Sequence, residues 1–226
     1  MKPMQRKQFL RLLGASLGVT AMAPLITGCG GGEDDEALAA FDRSATDSDI
    51  TEALSAEEIA GLMYMREEEK LAHDVYVALF NAWGAQVFAH IAESETEHTE
   101  AIRRLIVAHG LEDPAANNPP GVFVNTELQA LYDALVDRGQ TSLIEAIQVG
   151  CLIEEKDIQD INAKKAEVMD EPDIVQVYDH LLCGSRNHLR AFNDKLLQQG
   201  MTYRATVLSQ AEWDAIAYSA MERCGG

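Results

Sequence analysis

Apolar residues recur every three or four positions along most of the chain beyond residue 55, which is the spacing of a helix that buries one face. Alternation of apolar and polar residues, the pattern of a half-buried strand, is scarce. The periodicity predicts four long helices and two short ones, near 55–82, 86–109, 126–137, 141–169, 172–199 and 209–222. We therefore expect an all-α chain.

Turn residues indicate how these helices connect. Ser55 stands before Ala-Glu-Glu, the composition of an N-cap and a first helical turn. Trp83-Gly84 and Glu171-Pro172 are tight links, so each flanking pair of long helices should form an antiparallel hairpin. Residues 110–140 form a much longer connection. The expected architecture is a four-helix bundle with one long crossover between two antiparallel hairpins, plus short accessory helices.

Residues 1–28 have the composition of an export signal. They carry Lys2, Arg6, Lys7 and Arg11 without an acidic residue, followed by a stretch of small and apolar residues. An ordinary secretory signal and a single membrane span are the alternatives, but the apolar run is short for a span and contains Gly and Pro. Arg6-Lys7 resembles a twin-arginine signal with Lys in place of the second Arg, which leaves the export route open.

The end of this signal resembles a bacterial lipobox, Leu25-Ile26-Thr27-Gly28-Cys29, in which cleavage leaves the cysteine as a diacylated N-terminus. We predict Cys29 to be the lipidation site and residues 29–54, which begin with a Gly-rich acidic stretch, to be a flexible tether. Residues 55–226 are the predicted helical domain. The mature protein is expected in the bacterial cell envelope, facing the periplasm.

The charge balance restricts the partners. The chain has 18 Lys and Arg against 37 Asp and Glu, a formal net charge of −19, and loss of the signal would remove four cations more. Nucleic acid is not expected as a partner, and membrane contact is expected only through the lipid anchor. The oligomeric state stays open, with a dimer as one candidate, although an anchor on every subunit argues against a closed shell.

The second predicted helix carries two polar residues on its apolar face. Glu95 and His98 lie in the stripe that contains Phe88, Ile91, Ile102 and Leu105. Side chains three residues apart project from one helix face about one turn apart, so a carboxylate and an imidazole at this spacing can chelate a cation. Burial of a carboxylate requires compensation by a cation or a metal ion.

Each of the other long helices also has a polar residue on its apolar face. These are Glu69, Glu154 and His188, whereas Glu68 and Glu155 are displaced from the stripes. Singly, each has an ordinary structural interpretation, such as a core histidine bonded to a carbonyl or a glutamate at a helix edge. Together they favour a metal site over a purely structural network. Carboxylates with two imidazoles suit iron, with manganese as the alternative.

Four segments resemble the four helices of a ferritin-like domain family of uncharacterised function, found in bacteria and archaea: REEEKLAHDVY (66–76), ESETEH (93–98), IEEKDI (153–158) and GSRNHLRAF (184–192). The resemblance covers residues 55–205 and implies a ferritin-like four-helix bundle with two metal ions. By position, the family's ligands correspond to Glu69, Glu95, His98, Glu154 and His188. Tyr76 resembles a tyrosine that often follows the first glutamate, as a hydrogen-bond donor or one-electron donor.

This resemblance implies di-iron carboxylate chemistry with peroxide or dioxygen, as a ferroxidase or peroxidase. The alternative is a non-enzymatic helical lipoprotein that has a structural or storage metal site or that binds a protein partner. One departure from the pattern keeps the alternative open: Ser185 stands where a second Glu-x-x-His would have its glutamate. Glu155, Asp157, water or nothing then fills that position. His73, four residues after Glu69, is a further candidate, with a surface or supporting role as its alternative.

The cysteines allow two arrangements. Cys151 and Cys183 fall in the third and fourth long helices, where they could form an interhelical disulfide in an oxidising compartment or remain as two buried thiols. Cys224 would then be unpaired.

Overall fold

The computed structural model describes residues 53–224. The predicted signal at 1–28, the lipidation site Cys29 and nearly all of the tether lie outside this range. Residues 53–224 contain six helices and no strand, which confirms the all-α prediction for this part of the chain. The helices are α1 (Ala56–Trp83), α2 (Gln86–Ala108), α3 (Thr126–Gly139), α4 (Leu143–Glu167), α5 (Pro172–Gln198) and α6 (Gln210–Ala217).

The ends of α1 follow from local chemistry. The Glu58 backbone N–H donates to the Ser55 side chain at 3.2 Å, and the Ser55 backbone N–H donates to the Glu58 carboxylate at 2.6 Å. This reciprocal capping box satisfies donors that the first turn leaves free. Gly84 ends the helix with φ of 64°, a left-handed conformation that favours glycine. The chain can therefore reverse into α2 within two residues.

The four long helices pack in a closed set of neighbours. α1 packs against α2 and α4, and α5 packs against α4 and α2. α3 lies on α1 and α4, and α6 lies on α5. Tyr76, Phe88 and Phe192 form an aromatic group between α1, α2 and α5, with ring centroids 5.3 to 6.3 Å apart. The core thus lies between the long helices, where the polar residues of the predicted site also point.

Four consecutive charged residues of α1, Arg66 to Glu69, are all buried. Arg66 forms an ion pair with Asp113 at 3.0 Å, and Glu67 accepts hydrogen bonds from the two backbone N–H groups just before α3. Charges on every side of one helix can be buried because other segments surround it and supply partners on each side. The middle of α1 is therefore enclosed.

The disulfide prediction was wrong. Cys183 pairs with Cys224, with their Cα atoms 5.5 Å apart, and Cys151 is a buried free thiol. The reason is that the last helix ends at Ala217 rather than near residue 222, so residues 218–224 return to α5. Glu222 of this segment forms ion pairs with Arg186 and Arg190.

Within residues 53–224, no helix is both long and apolar enough to cross a bilayer.

Candidate metal centre

The structure brings the five predicted ligand side chains into one buried cluster. α1 supplies Glu69, α2 supplies Glu95 and His98, α4 supplies Glu154 and α5 supplies His188. Their exposed fractions range from 1% for Glu69 and Glu154 to 8% for His188. Polar groups from four helices therefore meet in an interior where solvent supplies little compensation.

The cluster consists of two triads that share one carboxylate. Glu69, Glu95 and His98 form the first, and Glu95, Glu154 and His188 form the second; in each triad the ligand atoms lie within 4.8 Å of one another. His98 Nδ1 is 2.9 Å from Glu95 Oε2, while His188 Nδ1 is 2.8 Å from Glu95 Oε1. The two oxygens of Glu95 therefore face two different histidines.

Several atoms of the cluster lack a hydrogen bond. Both carboxylate oxygens of Glu69, Oε2 of Glu154 and Nδ1 of His188 have no hydrogen-bond partner, although His98 Nδ1 is 3.3 Å from Glu69 Oε2 and His188 Nδ1 is 3.5 Å from Glu154 Oε2. His188 Nδ1 is close to Glu95 in distance, but the contact does not have hydrogen-bonding geometry. Buried polar atoms almost always have a hydrogen-bond partner. A buried group of oxygen and nitrogen atoms that face one another without hydrogen bonds is therefore expected where a cation binds. The residues present fit a metal ion.

Mutual electrostatics determine where the protons lie. Burial raises the pKa of Glu69 to about 7 and also raises the pKa of Glu154. Burial acts the same way on Glu95, but His98 and His188 outweigh it and hold its pKa below the usual range. Burial lowers the pKa of His188, whereas Glu95 and Glu154 raise it by more, to about 9. The imidazoles therefore carry protons that a bound cation would replace.

Tyr76 lies beside the second triad. Its hydroxyl donates to Glu154 Oε1 at 2.5 Å, and its ring is fully buried against Phe88 and Phe192. Burial, followed by the charge of Glu154, raises the pKa of Tyr76. The phenol therefore stays protonated and fixes the orientation of the Glu154 carboxylate.

Small residues of α2 and α5 position the two histidines. A Cβ atom on Gly184 would lie 2.5 Å from Nε2 and Cε1 of His98, a distance that real Cβ atoms essentially never show. Only glycine therefore leaves room for this ring at α5. Ser94 Oγ is 3.0 Å from His188 Nε2, so Ser94 holds the outer nitrogen while Nδ1 faces Glu95.

Ser185, which stands where the family pattern has a glutamate, contacts Asp157. Ser185 is fully buried and hydrogen-bonds Asp157, and its hydroxyl also lies 2.9 Å from the Leu181 carbonyl oxygen. Asp157 belongs to neither triad, and one of its oxygens has no partner. Of the substitutes that the sequence left open, Asp157 is the one that reaches Ser185.

Glu155, a second candidate for this position, forms its hydrogen bonds outside the cluster. It is fully buried, and its carboxylate accepts hydrogen bonds from the Tyr203 hydroxyl at 2.8 Å and from the backbone N–H groups of Thr206, Val207 and Leu208. The sequence correctly indicated that Glu155 lies off the apolar stripe. It did not indicate that the segment before α6 covers this residue. No signal in the sequence pointed to this remote partner.

Glu68 and His73 also lie outside the cluster. Glu68 is buried and pairs with Lys156 at 3.2 Å, a contact between α1 and α4 that the helical pattern did not predict. His73 is half-buried, and its Nδ1 lies 2.9 Å from Asp74. His73 is therefore not brought to the two triads.

A third group of possible ligands lies near the surface. His109 Nε2 is 2.9 Å from Asp173, and Glu171 is close to both. Exposed acidic groups of this kind are common in the absence of an ion.

Comparison with known proteins finds relatives without a described activity. The family described as "Uncharacterized protein domain (DUF2202)" matches residues 58–220. "Uncharacterized protein MJ0754" of Methanocaldococcus jannaschii is 44% identical over 170 residues, which cover 75% of this chain and 91% of that protein. The solved structure titled "Crystal structure of hypothetical protein MJ0754 from Methanococcus jannaschii DSM 2661" matches with a TM-score of 0.73 and 42% identity, over 76% of this chain and 97% of that chain.

Proposed function

We propose that this chain, which belongs to the family of the uncharacterized protein domain DUF2202, binds two metal ions, with iron as the first choice, and reacts them with peroxide or dioxygen. The observation that carries the proposal is the position of Glu95 between two histidines in two triads that share it. A carboxylate with one oxygen toward each of two imidazoles could help hold a metal ion beside each of them.

The fold that we infer is a ferritin-like four-helix bundle. The pairs α1–α2 and α4–α5 would be its two antiparallel hairpins, and residues 109–142 would be the crossover between them. The contacts of each long helix with two others support this inference, as does a cluster that draws ligands from all four. In di-iron bundles the ligands likewise project inward from four helices.

The residues of the cluster would have distinct tasks. Glu95, which is common to both triads, would help hold both ions, and Glu69 and Glu154 would neutralise their charge. His98 and His188 would supply one nitrogen ligand each, and Tyr76 would hold Glu154 by its hydroxyl or act as a one-electron donor. Three carboxylates and two imidazoles are ligands that suit iron or manganese. Iron held this way would supply redox chemistry and open coordination positions to a small oxidant.

The cell envelope is the proposed location. The export signal at 1–28 and the lipidation site Cys29 support it by their sequence alone. The anchor would hold the helical domain at the membrane surface, with residues 29–54 as the tether.

A non-enzymatic metal-binding lipoprotein is the second candidate. Ser185 favours it, because this hydroxyl bonds Asp157 and leaves only five ligands in the two triads. Five ligands can hold ions for stability or storage without leaving them poised for reaction.

Adjacent glutamates of α4 provide a matched test of metal binding. Elemental analysis of the natively isolated protein should give about two transition-metal ions per chain. Glu154→Gln should lose at least half of them, because it removes a charged ligand, whereas Glu155→Gln should keep them, because Glu155 binds the segment before α6. Metal content below half an equivalent in the wild type, or equal metal content in the two variants, would contradict the site.

Turnover separates the two candidate functions. The ferrous-loaded protein is mixed with peroxide or with dioxygen, and oxidation is followed optically. We expect oxidation faster than that of free iron under the same conditions. Metal binding without such acceleration would favour the non-enzymatic candidate.

A further inference from the structure

A small cavity lies between α1, α3 and α4, beside the metal cluster. Its walls are mostly apolar and include Ala72 of α1, Leu131 and Leu135 of α3, and Leu152 and Ile153 of α4. These five side chains are at most 5% exposed, so the cavity is closed to large molecules. Its occupant must be of about the size of a water molecule or a diatomic molecule.

The cavity approaches the cluster through one of its lining residues, Asp157. The lining residues Glu68 and Ile153 are the helix neighbours of the cluster residues Glu69 and Glu154, and their side chains point about 100° away from them. Asp157 also lines the cavity and hydrogen-bonds Ser185. Asp157 is therefore the residue that lies between the cavity and Ser185, the position where the family pattern would put a further glutamate.

The walls of the cavity exclude ions. The cation that lines it, Lys156, is already paired with Glu68 and Asp160. Glu68 and Asp157 are the acidic residues of the lining, and the leucine and isoleucine walls give no hydration to an ion that passes them. One oxygen of each carboxylate has no partner and can accept a hydrogen bond from a neutral guest.

We propose that this cavity is the entry site through which a small neutral oxidant, dioxygen or hydrogen peroxide, reaches the metal cluster. The inference rests on the proposed function, because it assigns the route of the oxidant to that site. Apolar walls admit dioxygen readily, and the two unpaired oxygens provide acceptors for the hydrogens of peroxide.

The first experiment needs no metal. Methyl-labelled, metal-free protein is studied by NMR under dissolved dioxygen, whose paramagnetism speeds the relaxation of methyl groups that it approaches. We expect excess relaxation for Leu135 and Leu152 relative to the equally buried Ile106 and Leu189, which do not line the cavity. Equal relaxation of the two sets would overturn the entry route.

The second experiment compares two alanine-to-valine substitutions, which add the same volume at two buried sites. Ala72→Val fills the cavity, whereas Ala92→Val, a buried alanine of α2 that does not line the cavity, is the control. In iron-loaded protein, Ala72→Val should slow oxidation by about tenfold, because its two added methyl groups occupy the proposed route; this corresponds to about 1.4 kcal/mol in the barrier. The oxidant that uses this route is the one, dioxygen or peroxide, whose reaction with the protein becomes slower.

The outcomes distinguish the two proposals. Equal oxidation rates in both variants, with metal bound, overturn the entry route and leave the proposed function intact. Protein that takes up no metal overturns both. If Ala72→Val does not fold, Leu135→Ala enlarges the same cavity, and unchanged oxidation in that variant counts against the route.

Discussion

Glu154 and Glu155 are adjacent in α4 and both are buried, yet their carboxylates have different partners. Glu154 faces His188 and accepts a hydrogen bond from the Tyr76 hydroxyl. Glu155 instead accepts hydrogen bonds from backbone N–H groups of the segment before α6. Neighbours in a helix point about 100° apart, so each meets a different part of the molecule. What a buried carboxylate does here depends on the segment that its side of the helix faces.

At the scale of one side chain, Gly184 gives a direct prediction. Gly184→Ala should displace the His98 ring and reduce metal content by at least half, because the added Cβ would overlap Nε2 of that ring. Elemental analysis and thermal unfolding measure the effect. Overpacking of this kind typically destabilises a protein by about 1 to 3 kcal/mol.

Gly61→Ala is the control for this change. Its Cβ would meet Lys164 Cδ at 3.2 Å, and that flexible side chain can move away. Metal content should therefore stay at the wild-type value. Equal metal content in Gly184→Ala and Gly61→Ala would show that the ring of His98 is not held at the site by this close approach.

The sequence predicted which side chains would meet, but not all of their partners. Glu69 and His188 could be placed in the interior because they interrupt apolar stripes of period 3.6. The partners of Glu68 and Glu155 could not be predicted, because they are distant in the sequence. Lys156 is 88 positions from Glu68, and Thr206 is 51 positions from Glu155. Local periodicity carries no information about which distant segment covers a given helix face.

Helix boundaries were predicted to within a few residues where a cap marks them. α1 begins after Ser55 and stops at Gly84, as the cap residues indicated. The last helix was the exception, since it ends at Ala217. Residues beyond it bind α5 instead: the Glu222 backbone N–H donates to Asn187 Oδ1 at 2.9 Å, and the Glu222 carboxylate binds two arginines. Tertiary contacts outweigh helical propensity at this end.

The link between α5 and the C-terminal segment should weaken in acid. The hydrogen bond from Arg186, against a smaller opposing effect of burial and with help from Arg190, lowers the pKa of Glu222 to about 2. A carboxyl with a depressed folded pKa stabilises the protein above its unfolded value and loses that contribution as pH falls toward the folded value. The contribution should therefore disappear between about pH 4.5 and 2.

Urea unfolding of wild type and Glu222→Gln over this pH range provides the measurement. The wild type should be more stable by at most about 1 kcal/mol at neutral pH, because the Glu222 side chain is 33% exposed and solvent screens its ion pairs. The difference should shrink to nothing near pH 2. Glu97→Gln, at an exposed position of α2, is the control, and a difference that does not depend on pH would refute the assignment.

At the scale of the whole molecule, the disulfide closes a long loop. Cys183 and Cys224 are 41 positions apart, and the bond encloses the end of α5, all of α6 and the returning segment. Restricting a loop of this length in the unfolded chain stabilises the folded state by about 4 kcal/mol in the chain-entropy description. The bond therefore contributes a large share of the stability of an ordinary domain.

Cys224→Ser should lower the free energy of unfolding by about 4 kcal/mol under oxidising conditions. Addition of a dithiol reductant should bring the wild type to the same value, because both treatments open the loop. Cys151→Ser, which alters the free thiol, should keep its sensitivity to the reductant. Equal stability of Cys224→Ser and oxidised wild type would show that the bond does not form in solution.

The chain has two tryptophans in opposite surroundings, and this gives it an optical reporter. Trp213 of α6 is fully buried and stacks on Tyr203 with ring centroids 4.4 Å apart, while Trp83 is 37% exposed. A neutral collisional quencher such as acrylamide should extinguish the emission of Trp83 first and leave a blue-shifted band from Trp213. Because Tyr203 hydrogen-bonds Glu155, that residual band would register any loosening of the α6 region from α4 without a label.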